Sequence, residues 1–121
     1  MNDPREPPRA ALSIESELRA GSVRLAVAGE LDIATVPQLE GELRSLLTGS
    51  ATEVVIDLNG LTFIDSSALR MFIVLSNRAA SEGWTLRLVR PSEQARAVFE
   101  ITGANDHLPL EDSADSAGRE P

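Results

Sequence analysis

Leu58-Asn59-Gly60-Leu61-Thr62-Phe63-Ile64-Asp65-Ser66-Ser67-Ala68-Leu69 is the stretch on which the reading of this chain turns. It follows an apolar run, Val54-Val55-Ile56, whose β-branched side chains favour a strand. It ends in an acid and two hydroxyls just where an apolar-periodic segment begins. Asp and Ser side chains accept hydrogen bonds from the free N–H groups of a helix's first turn. The spacing therefore predicts a strand, a loop marked by Asn59-Gly60, and a helix opening at Asp65-Ser66-Ser67. A serine there lies near the positive end of a helix, where added negative charge is tolerated. Ser67 is thus a candidate for reversible phosphorylation that switches a protein–protein contact. By spacing alone, a plain helix cap at Asp65 and Ser66 is the commoner reason for such residues.

On either side the pattern alternates between strands and helices. Leu12 and Ile14 begin a first strand, Ala20-Gly21-Ser22 makes a turn, and Val23, Leu25 and Val27 mark a second strand. Thr35 and Gln38 have capping-box spacing, with Pro37 acceptable in the first helical turn. Val36, Leu39, Leu43 and Leu46 form the apolar stripe of that helix. Glu53 to Leu58 is the central strand, and the second helix runs from about Ser66 to Glu82. Trp84 to Val89 is another strand, and Pro91-Ser92 opens a third helix ending near Ile101. Leu108 and Leu110 form a short last strand or a docked segment. Gly49, Gly83 and Gly103 each follow a helix, where the left-handed conformation is common. The order predicts an α/β fold, a mixed β-sheet of four to five strands packed against three or more helices.

On a helical wheel the second helix separates two arcs. Ala68, Leu69, Met71, Phe72, Ile73, Leu75, Ser76, Ala79 and Ala80 form the arc expected on the sheet. Ser67, Arg70, Val74, Asn77, Arg78 and Ser81 face solvent. A partner lying along Arg70, Val74 and Arg78 has its edge close to Ser67.

The 121 residues and 42% hydrophobic content suit one domain with a modest core. Residues 1–10 read as a disordered proline-rich lead, 11–110 as the folded domain and 111–121 as a disordered acidic tail. The net charge is −8, and all eleven basic residues are arginine. Such an acidic chain is a poor nucleic-acid binder, because phosphate neutralisation needs basic groups. Cysteine is absent, which rules out disulfides, thiolate metal sites and cysteine nucleophiles. One histidine and scattered carboxylates make a poor metal site, and there is no glycine-rich phosphate loop. No signal-peptide core or membrane-length apolar run stands out, so a cytoplasmic location without stable membrane insertion is expected.

Two segments resemble the STAS domain, in particular the bacterial anti-sigma factor antagonists. One is Gly29-Glu30-Leu31-Asp32 with Thr35 at a helix start. The other is Val54 to Leu69, with Asp57-Leu58 and Asp65-Ser66-Ser67-Ala68-Leu69. Val98-Phe99-Glu100-Ile101-Thr102-Gly103 is a looser third match, and together they span roughly Ile14 to Leu110. The resemblance implies a non-enzymatic regulator of transcription. In its unphosphorylated state it binds an anti-sigma factor that is also a serine kinase, and so frees the sigma factor. The kinase phosphorylates the second serine of the motif, here Ser67, and a phosphatase reverses this. Asp32 matches the family's loop aspartate near that serine, and Asp65, Ser66, Ser67, Arg70, Val74 and Arg78 complete the implied partner surface. Where the family usually has glycine after the second serine, this chain has Ala68.

Two rivals stand beside that reading. STAS-like proteins also serve as non-catalytic subunits of membrane transport ATPases or within stress-signalling assemblies. A serine hydrolase would use Ser66 or Ser67 with His107 as base, but the chain lacks the Gly-x-Ser-x-Gly elbow. Asp57 and Asp32 each have a plainer role available as acceptors for nearby backbone amides.

Overall fold

The computed structural model describes residues 11–47, 51–103, 108 and 110–112. Eight elements follow one another: β1 (Leu12–Arg19), β2 (Ser22–Leu31), α1 (Val36–Leu46), β3 (Glu53–Ile64), α2 (Ser66–Glu82), β4 (Thr85–Val89), α3 (Glu93–Thr102) and β5 (Leu110–Glu111). The strands form one mixed sheet in the order β1-β2-β3-β4-β5. β1 is antiparallel to β2, and the remaining neighbours are parallel. This is the α/β architecture expected from the alternation. Glu111 belongs to β5, so the sheet reaches one residue into the segment read as tail, and 113–121 lie outside the described residues.

Alternation along the strands assigns one face of the sheet to the core. Val23, Leu25 and Val27 of β2, Val54 and Ile56 of β3, and Leu86 and Leu88 of β4 are buried together with residues of all three helices. Phe72 of α2 and Phe99 of α3 are fully enclosed there. Removing so large a core side chain typically costs about 3–5 kcal/mol. The other face is mostly polar. Across it Glu17 stands opposite Arg24, Arg24 opposite Val55, and Val55 opposite Arg87. Arg87 bridges Glu53 of β3 and Glu111 of β5, both at 2.8 Å, and so ties the last strand to the centre.

The largest departure from expectation lies in β3. Asn59-Gly60 is no loop: the strand runs on to Ile64 and stays paired with β2, although its pairing with β4 ends at Asp57. Two bulges account for the misleading pattern. From Ala26↔Asp57 to Ala28↔Gly60, β2 advances two residues and β3 three; from Gly29↔Leu61 to Glu30↔Phe63, β2 advances one and β3 two. Each extra residue on β3 resets which face the next side chain takes. The buried positions are accordingly Leu58, Leu61 and Ile64, three apart instead of two. Polar side chains serve both irregularities. Asp57 Oδ1 accepts from the Asn59 N–H at 2.9 Å, and Thr62 Oγ1 donates to the Gly29 carbonyl at 3.2 Å.

Two glycines permit these contacts. Gly29 has φ +104°, and a Cβ there would collide with the Ala11 carbonyl oxygen. Gly60 passes so close to β2 that a Cβ would lie 2.9 Å from both Ala28 Cβ and the Val27 carbonyl oxygen. We expect Gly60→Ala to lower unfolding stability by about 1–3 kcal/mol, read by urea titration, because the obstacle is largely backbone.

Candidate functional site

β2 and β3 are parallel neighbours that end side by side, so the segments leaving them also meet. The Asp65 N–H donates to the Leu31 carbonyl at 3.2 Å and prolongs the pairing by one step. The β2–α1 loop and the start of α2 are thereby brought into contact at one end of the sheet.

Asp65 is the centre of that contact. Its backbone is extended and its side chain caps α2. Oδ1 accepts from the Ser67 N–H at 2.9 Å, the Ala68 N–H at 3.2 Å and the Ser67 hydroxyl at 2.6 Å. Oδ2 reaches across to accept from the Ile33 N–H at 3.1 Å. Partial burial pulls this carboxyl upward, but the bonds from the Ser67 hydroxyl and from the Ala68, Ile33 and Ser67 amides outweigh it and hold the pKa below its usual value. The cap predicted from the sequence is present, and the Ser67 side chain is part of it. Ser67 is half-buried, whereas Ser66 is exposed. Ala68 is fully buried, and its methyl group contributes to the core.

Asp32 turns into its own loop. Its Oδ1 accepts from the Ala34 N–H at 3.0 Å and the Thr35 N–H at 3.1 Å. The expected Thr35–Gln38 capping box does not form. Thr35 is itself in the helical region, because a turn precedes α1 in which the Thr35 and Val36 amides donate to the Asp32 carbonyl. Thr35 Oγ1 donates instead to the Glu30 carbonyl at 2.8 Å, and Gln38 Nε2 donates to the Leu12 carbonyl at 3.2 Å. The loop thus reaches the Ser67 neighbourhood through Ile33, not through the Asp32 carboxylate. Ile33 is 77% exposed. Leu31, Ala34 and Val36 beside it are apolar too, so no local pattern singles it out.

Along α2, Ala68, Leu69, Met71, Phe72, Leu75 and Ala79 are buried, as the wheel predicts, while Arg70 and Arg78 are exposed and Val74 is 59% exposed. Ile73, placed in the core by the wheel, is 38% exposed because it falls at the edge of the packed arc. Arg78 pairs with Glu82 at 3.0 Å. A shallow groove runs between the helices, lined by Glu40, Leu43 and Arg44 of α1 and Met71, Val74, Leu75 and Arg78 of α2. On the helical wheel Ser67, Val74 and Arg78 share the flank of α2 that borders this groove. Among the described residues no group of three or more potential metal ligands converges, and no helix is long and apolar enough to cross a membrane. His107, the base of the hydrolase alternative, lies outside the described residues.

The family model described as "Mlab, STAS domain" matches residues 14–111, and the anti-sigma-B factor antagonist of Staphylococcus epidermidis is 30% identical over 95 residues, covering 78% of this chain and 88% of that protein. The chain belongs to the STAS family of anti-sigma factor antagonists. Solved structures share its fold. An anti-sigma factor antagonist from Mycobacterium paratuberculosis superposes with a TM-score of 0.76 at 24% identity, over 91% of this chain and 93% of that one. The Bacillus cell fate determinant SpoIIAA in its phosphorylated form gives 0.64 at 21% identity, over 87% and 96%.

The cap makes two checkable demands on this STAS domain. Asp65→Ala is expected to cost about 1–2 kcal/mol in thermal or urea unfolding, as for other N-cap deletions. A depressed carboxyl contributes stability that is present above its unfolded value of about 4 and is lost as pH falls through its folded value. The stability difference between wild type and Asp65→Ala should therefore shrink on acidification below about pH 4, read by urea midpoints across that range.

Proposed function

We propose that this STAS protein is an anti-sigma factor antagonist switched by phosphorylation of Ser67. Unmodified, it binds an anti-sigma factor serine kinase in the cytoplasm and so releases a sigma factor for transcription. The kinase transfers the γ-phosphoryl group of ATP to Ser67 Oγ, which loses its proton, and the phosphorylated protein dissociates. A phosphatase returns the hydroxyl by hydrolysis. The protein itself acts by binding, not by catalysis.

The observation that carries this reading is the place of Ser67. It stands in the first turn of α2, beside an exposed arc that includes Arg70 and Val74 and above the α1–α2 groove. The α2 dipole and Arg70, three residues on, both favour an anion there, so the fold tolerates the modification. A docked protein does not. Burying an unpaired phosphate costs several kcal/mol. Losing about 4 kcal/mol from a micromolar complex leaves it near millimolar, which is dissociation at cellular concentrations. Support also comes from relatives named as antagonists of an anti-sigma factor and from a fold neighbour described in a phosphorylated form.

The test begins with co-purification on the unmodified chain. Recovery of a serine kinase that binds a sigma factor is expected, and recovery of transport ATPase subunits instead would assign the protein to the alternative class. Incubation with that kinase and ATP, followed by peptide mass spectrometry, should place phosphate on Ser67; phosphate confined to other serines overturns the site. In binding titrations, Ser67→Ala should stay bound in the presence of ATP. Ser67→Asp should bind at least about tenfold more weakly. Arg70→Glu should weaken binding more than Arg19→Glu, because Arg19 lies in the β1–β2 hairpin at the opposite end of β2.

A further inference from the structure

Asp65 uses its two oxygens for two different parts of the chain. Oδ1 serves α2 through the Ser67 hydroxyl and the Ser67 and Ala68 amides, and Oδ2 holds the Ile33 amide of the β2–α1 loop. The shortest of these bonds, at 2.6 Å, needs the Ser67 hydroxyl as donor. The geometry points to Asp65 as a latch that relays the charge of Ser67 to the β2–α1 loop, so that a phosphate on Ser67 frees the exposed Ile33. This rests on Ser67 being the modified residue, as proposed above.

Esterification removes the O–H donor and replaces it with a dianion next to the Asp65 carboxylate. The phosphate also competes for what Asp65 now holds, because the first-turn amides of α2 are natural anion donors. Two anions cannot share the same pair of amides, and the carboxylate has the weaker charge. As Asp65 turns away, Oδ2 leaves the Ile33 N–H. The rest of the loop stays tied, because Ala34 and Thr35 are held by Asp32 Oδ1 and the Thr35 hydroxyl by the Glu30 carbonyl. The released segment is short and carries an apolar side chain that is 77% exposed. A partner that seats Ile33 in an apolar pocket thus loses an ordered contact as well as meeting a repelling charge.

Amide hydrogen exchange followed by two-dimensional NMR on the free full-length protein tests the latch without any partner. Four samples are compared: the unmodified chain, Ser67→Ala, Asp65→Ser, and a chain with phosphoserine installed at position 67 during translation. Asp65→Ser keeps a one-oxygen cap for α2 but has no second oxygen for Ile33. The Ile33 amide should exchange about tenfold faster in the phosphorylated and Asp65→Ser chains, and at the unmodified rate in Ser67→Ala. The Thr35 and Phe72 amides should keep their rates in all four. An Ile33 rate in the phosphorylated chain within about twofold of the unmodified one overturns the proposal, as does equal acceleration at Phe72. If Asp65→Ser does not fold, the phosphorylated chain still decides. Because the phosphate is installed directly, a kinase that chooses another serine refutes the site assignment and leaves this coupling measurement intact.

Discussion

The parallel pairing of β2 with β3, carried beyond the end of β4 by two bulges, is the constraint on which the site depends. Without those seven further residues of β3, the α2 N-terminus would begin level with the end of β4, away from the loop that leaves β2. With them, two helices depart from adjacent strand ends, and one carboxylate reaches both the first turn of α2 and the loop that leads into α1. The bulges in turn depend on Gly60, which lets β3 lie against Ala28, and on Asp57 and Thr62, which accept and donate where the ladder is interrupted. Residues remote from Ser67 along the strand thus determine where Ser67 stands.

The same arrangement separates the residues that stabilise the fold from those of the proposed switch surface. The core is built from the inward residues of the strands and the buried arcs of the helices, while Ser66, Arg70, Val74 and Arg78 contribute little to it. Charge added at the mouth of α2 therefore acts chiefly on what lies outside the protein. Asp65 is the exception, since it belongs to both systems: it caps a helix of the core and holds a loop at the surface.

Much of this was legible in the sequence, and the reasons for the misses are physical. α2 was read with its bounds and its cap because period, N-cap chemistry and the glycine at its end all agree. The mixed sheet followed from the order of the apolar runs. The full length of β3 is hidden because a bulge shifts burial from every second to every third residue, and Asn59-Gly60 then looks like a turn. The capping box at Thr35 failed because spacing does not reveal that Asp32 already caps the turn. Ile33 carries no signal in the sequence because its role comes from a hydrogen bond to a residue thirty-two positions away, which no local pattern encodes.

All three helices cover the same side of the sheet, and this has a practical use. The opposite side, on which no helix of the described residues packs, presents Glu15, Glu17 and Arg19 on an edge strand, all exposed. A fluorophore or an immobilisation handle attached there would leave the proposed partner-binding side unobstructed, so that the proposed assembly and release could be watched on a single tethered molecule in real time.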